Sequence, residues 1–127
     1  QLMPWLAVAA GGALGAVARY GMAGLVQRVA GGAFPWGTLA VNVLGALLMG
    51  IIVEGAARLW TVPTDLRLFL TTGVLGGFTT FSAFSLETAL MIEKGDWLPA
   101  IAYIAASVAL TVLFLFCGMW AVRSLAG

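Results

Sequence analysis

Histidine is absent from this 127-residue chain, cysteine occurs once, and only 9% of the residues carry a charge. Each scarcity removes a class of function. Without histidine there is no imidazole to act as a general base. A single cysteine, Cys117, allows no intrachain disulfide, and the usual zinc ligand sets are missing. Cys117 lies in a strongly apolar run and reads as a small packing residue. Six basic residues against five acidic ones leave a net charge of +1, which is no electrostatic footprint for nucleic acid. Soluble domains carry about 25% charged residues, so this chain has too little polar surface to face water on all sides.

What it has instead is 62% hydrophobic residues, in runs long enough to span a bilayer. The reading is an all-α integral membrane protein with four transmembrane helices in one domain, residues 1–127. The spans are expected at about Trp5–Val29, Trp36–Trp60, Leu66–Ile92 and Trp97–Val122. No basic stretch precedes the first apolar segment and no cleavage site follows it, so it reads as a span, not a signal peptide. "AGGAFPWG", "TVPTD" and "KGD" punctuate the chain; Thr64 is the expected N-cap of the third span, with Asp65 at its positive end. Gly11 with Gly15, and Ala46 with Gly50, are small-xxx-small pairs suited to close helix contact. Trp5, Trp36, Trp60, Trp97 and Trp120 all fall near span ends, where interfacial tryptophans belong.

With four spans, Arg58, Arg67 and Arg123 share one side while Arg28 and Lys94 lie on the other. That is almost no positive-inside bias. Either other features orient the chain, or it inserts both ways and pairs antiparallel. Four small-residue-rich helices cannot enclose a wide aqueous path, so an oligomer is expected. No repeat of 20–50 residues is visible, which argues against an internally duplicated transporter.

Polar groups inside spans are costly and mark function. Arg19 sits deep in the first span and Glu87 well inside the third, open to a snorkelling or salt-bridge role, or to one in an ion path or in locking a dimer. Thr38 and Asn42 share one face of the second span at i, i+4. Tyr103, Ser107 and Thr111 form a hydroxyl stripe at i, i+4, i+8 on the fourth. "GVLGGFTTFSAFS", from Gly73 to Ser85, is the most irregular stretch, and the expected midpoint of its span is Thr79. Gly76-Gly77 weakens a helix by about 1 kcal/mol per glycine relative to alanine, and Thr79-Thr80 does little to restore it. A break near the bilayer midplane frees carbonyls, which lipid tolerates only if protein, water or an ion satisfies them. With no carboxylate beside them, such carbonyls suit a monovalent cation better than calcium. Phe81 and Phe84 lie at i, i+3 beyond the break. They are either plain packing or a pair of ring edges, whose positive potential could help hold a small anion.

"GGALGAVARY" at 11–20, "GTLAVNVLG" at 37–45 and "GGFTTFSAFSLE" at 76–87 together resemble the Fluc (CrcB) family of bacterial fluoride channels, over essentially the full length. Ala83 stands where many members have threonine. The resemblance implies an antiparallel dual-topology homodimer in the bacterial inner membrane, passing fluoride passively out of the cell through two pores. It also implies a structural, non-transported sodium ion at the dimer centre, held by the main-chain carbonyls of Gly76 and Thr79. Asn42, Phe81, Phe84, Tyr103, Ser107 and Thr111 would line the fluoride pore, with Arg19, Thr38, Ser82 and Glu87 in accessory positions. Two rivals remain open: a small proton-coupled multidrug exporter of four-span dual-topology type, with Glu87 as its proton site, and a structural helper subunit.

Overall fold

The computed structural model describes every residue, Gln1–Gly127, and is wholly helical. Helix α1 runs Met3–Ala30, with Pro4 in its first turn, where a missing N–H costs nothing. It ends on Gly31 and Gly32, both with positive φ (71° and 76°), a conformation that suits glycine. Helix α2, Trp36–Arg58, follows Pro35. The third crossing starts with α3, Thr64–Leu68, continues as π-helical turns over Phe69–Leu75 and closes with the single turn α4, Gly76–Phe78. Helix α5, Ser82–Glu93, completes that crossing, and Gly95 (φ 82°) turns the chain into α6, Trp97–Ala126. Pro63, not Thr64, occupies the N-cap of α3, and no side chain caps it. Proline fixes the extended geometry there (φ −59°, ψ 149°), which moves Thr64 into the first helical turn.

The four crossings are each long and apolar enough to span a membrane. Only 21 of 127 residues are buried within the chain, and all five tryptophans are exposed. Hydrocarbon or further protein must cover the rest.

Glycines set how closely the helices approach. A Cβ on Gly11 or Gly15 would strike the backbone of the third crossing, at the Phe69 and Val74 carbonyls; one on Gly73 would lie 2.9 Å from the Gly11 Cα. The π-helical turns thus fall where α1 and the third crossing meet backbone to backbone. Likewise α2 and α6 touch at Gly50 against the Leu115 carbonyl and Gly118 against the Leu47 carbonyl. Close approach of this kind is how membrane helices gain packing energy without a hydrophobic effect between them.

Candidate functional site

Between α4 and α5 the helix lapses at Thr79–Phe81, and Thr79 is extended (φ −95°, ψ 160°). The hydrogen bonds across this gap account for its shape. In a continuous helix the Thr80 amide would serve the Gly76 carbonyl; here it donates to Asn42 Oδ1 at 2.8 Å, and Asn42 Nδ2 donates back to the Thr80 carbonyl at 3.0 Å. The Ala83 amide would serve Thr79; it donates to Thr80 Oγ1 at 3.1 Å. The Gly77 carbonyl accepts from Arg19 Nε at 3.0 Å. Thr79 keeps its own amide and hydroxyl on the Leu75 carbonyl, at 3.0 and 2.9 Å. No main-chain amide reaches the carbonyls of Gly76 or Thr79 across the gap. Arg19 makes no ion pair: its partner is a carbonyl that the lapse set free.

Alongside the gap lies an open groove of about 340 Å³ between α2, the third crossing and α6. Asn42, Thr79, Thr80, Phe81, Phe84, Ser107 and Thr111 all contribute to its walls. Gly45 lets the Thr79 methyl lie against α2. The Phe81 and Phe84 rings sit 5.5 Å apart, tilted by 41°, and Phe81 is 78% exposed along the open side. Ser82 is also exposed, its hydroxyl 3.4 Å from that of Thr80.

The α6 hydroxyls do not act alike. Thr111 spends its one proton on the Ser107 carbonyl at 2.6 Å. Ser107 Oγ is buried, belongs to a groove-lining residue and has no partner in the protein. Tyr103 is fully buried and stands apart from the groove; its ring packs 5.0 Å from that of Phe84, and its hydroxyl donates to Glu87 Oε1 at 2.8 Å. Thr38 donates to the other oxygen, Oε2, also at 2.8 Å. Glu87 therefore has no ion-pair partner and is held by two neutral hydroxyls. It also borders a second cavity, of about 330 Å³, shared with Gln27 and Lys94 at the turn end of the molecule.

Two features escape a reading of the sequence. Thr80 supplies most of the polar contacts at the gap, yet next to Thr79 nothing in its residue type distinguishes it. Glu54 is buried near the end of α2 and accepts from Arg58, one turn on, and from Arg123 of α6. The i, i+4 spacing of Glu54 and Arg58 was a local signal for the first pair; the second spans 69 positions and had none.

Residues 6–119 match the family model described as CrcB-like protein, Camphor Resistance (CrcB). The "Fluoride-specific ion channel FluC" of Geobacter sulfurreducens is 53% identical over 120 residues, covering 94% of this chain and 97% of the relative. That of Chelativorans sp. is 52% identical over 118 residues (93% and 94% covered), and that of Nitrobacter winogradskyi 49% over 124 (95% and 98%).

Proposed function

The chain belongs to the CrcB family, and on that premise we infer that it is a fluoride-specific ion channel of the bacterial inner membrane, with no catalytic activity. Fluoride accumulated in the cell leaves down its own gradient, which reduces its toxicity. The observation that carries this reading is the groove wall, which sets the Asn42 amide and Ser107 beside Phe81 and Phe84. The Ser107 hydroxyl is enclosed and has no partner, a rare state for a buried polar atom, and it comes to the groove by turning about χ1. A small anion accepting from these neutral donors, and from the positive ring edges, is bound weakly enough to move on. Asn42 does two things: Oδ1 and one Nδ2 proton bond Thr80 and so position the gap and the two phenylalanines after it, while its second Nδ2 proton is a further neutral donor on the groove wall.

The groove is open on one side, and a second copy of the chain closes it. In that antiparallel homodimer two copies of the groove give two pores, and the two helix gaps meet near the bilayer midplane. The Gly76 and Thr79 carbonyls, lacking amide donors, are neutral oxygens suited to a monovalent cation such as sodium. Bound there, the ion supplies positive charge that compensates the exposed carbonyls of both subunits. Thr38 and Tyr103 hold Glu87 in place, and Arg19 keeps the Gly77 carbonyl off the cation.

Purified protein in liposomes tests the reading. Rapid, voltage-sensitive fluoride efflux with chloride retained is the expected result. Folded, sodium-containing protein that passes no fluoride overturns it. A pH-dependent drug efflux abolished by Glu87→Gln would install the exporter instead. Exchanging sodium for a larger cation throughout purification should impair assembly or flux; unchanged behaviour in both removes the cation from the account.

A further inference from the structure

The Glu54 cluster lies outside the groove, and the conduction path makes no use of it. Its construction is specific. The Glu54 side chain is only 7% exposed, and one of its oxygens, Oε2, accepts from Nε of both Arg58 and Arg123, the latter at 3.0 Å. A single buried oxygen thus holds two guanidinium groups side by side. Each arginine spends only its Nε on this bond; the terminal amino groups donate to no protein acceptor. The two side chains are 50% and 40% exposed. One carboxylate against two guanidiniums leaves the cluster with a charge of +1.

Its position is equally specific. Both arginines fall in the last turn of their helices, α2 and α6, at the same end of the molecule. Trp60 packs its ring over Gly55, and Trp120 precedes Arg123 by three residues; both rings are about half exposed. Indole rings of this kind sit at the level of lipid headgroups. Paired guanidiniums with free terminal amino groups match the oxygens of a phosphate.

We propose that Arg58 and Arg123, held side by side by the buried carboxylate of Glu54, bind the headgroup phosphate of an anionic phospholipid. Glu54 organises this site from beneath and keeps the two like charges together until the lipid arrives. The site is independent of the fluoride path and does not rest on that assignment.

The test is thermal unfolding of the detergent-purified protein, titrated with phosphatidylglycerol, phosphatidylcholine or inorganic phosphate. Removing one arginine alone could unfold the protein by leaving buried charge unpaired, so the informative variant is Glu54→Gln/Arg58→Gln/Arg123→Gln. Its matched control, Arg67→Gln, loses the same single positive charge from an exposed position at the same end of the molecule. The wild type and Arg67→Gln should be stabilised by phosphatidylglycerol and not by phosphatidylcholine. The triple variant should need about five-fold more phosphatidylglycerol for half its effect than Arg67→Gln does, the factor expected from one further basic residue lost at a charged headgroup layer. A wild-type response in the triple variant overturns the site. So does an equal loss in Arg67→Gln, which would reduce it to general surface charge. Full reproduction of the shift by inorganic phosphate would reassign it to a soluble anion, and reproduction by phosphatidylcholine would remove any headgroup selectivity.

Discussion

At the scale of single residues, the groove divides its labour between groups that hold the backbone and groups left free. Asn42, through Oδ1 and one Nδ2 proton, and Arg19, through Nε, bond main-chain atoms around the gap. Thr111 has spent its proton on its own helix. That leaves the second Asn42 Nδ2 proton, the Ser107 hydroxyl and the edges of Phe81 and Phe84 to meet an anion. An aromatic contact of this type is worth about 0.5–1.5 kcal/mol, so one ring matters by up to roughly tenfold. Phe81→Ile or Phe84→Ile should therefore cut fluoride efflux from liposomes by up to roughly tenfold while the oligomer stays assembled. Isoleucine preserves apolar bulk and removes the ring edge. Wild-type flux in both variants, measured on assembled protein, would reduce the phenylalanines to packing.

At the scale of elements, the gap depends on how closely α1 is pressed to the third crossing. Arg19 reaches the Gly77 carbonyl only because Gly15, one turn earlier, admits the Val74 carbonyl. Gly15→Ala should push the two helices apart, destabilise the protein by about 1–3 kcal/mol and lower the flux along with it. Gly12 offers the matched control, since a Cβ there meets nothing within 4 Å. Gly12→Ala should leave stability unchanged or raise it by up to about 1 kcal/mol. Thermal unfolding of the pair checks both; equal behaviour would mean that the glycine contact does not control the spacing. These elements also show how much a sequence conveys. Runs of apolar residues, punctuated by Gly31, Pro63 and Gly95, betray four crossings because length and polarity are local properties. Glycine spacing likewise flags Gly11 and Gly15. Pairings between distant positions leave no such trace: Arg19 with Gly77, Asn42 with Thr80 and Glu54 with Arg123 need the packed helices before they exist. Tyr103 fell into a hydroxyl stripe by spacing, yet a bulky phenol reaches beyond the face shared by Ser107 and Thr111 and finds Glu87.

At the scale of the whole molecule, one chain is incomplete in two respects: its groove is open, and its outer surface is apolar nearly throughout. Lipid can cover the surface but cannot wall an ion path, so the open side calls for protein. Closed assemblies of identical chains are most often two-fold, and the direction of the axis is the remaining variable. An axis in the membrane plane requires half the chains to insert each way, and that in turn requires a weak topological signal. Arg58, Arg67 and Arg123 on one face against Arg28 and Lys94 on the other supply so small a bias that basic residues alone do not select an orientation. A cysteine placed at Ala33, an exposed neutral residue in the turn between α1 and α2, reports the outcome without altering the charge balance, with Cys117 changed to serine to silence the background. A membrane-impermeant thiol reagent applied to intact cells should label about half of the Ala33→Cys chains, as a two-fold axis in the membrane plane requires, and the remainder only after the membrane is opened. Labelling of all chains or of none would fix a single orientation and exclude the antiparallel pair. Adding two lysines beside Lys94 should then tip the fraction toward one side, because the positive-inside rule acts on small differences when the starting balance is this close.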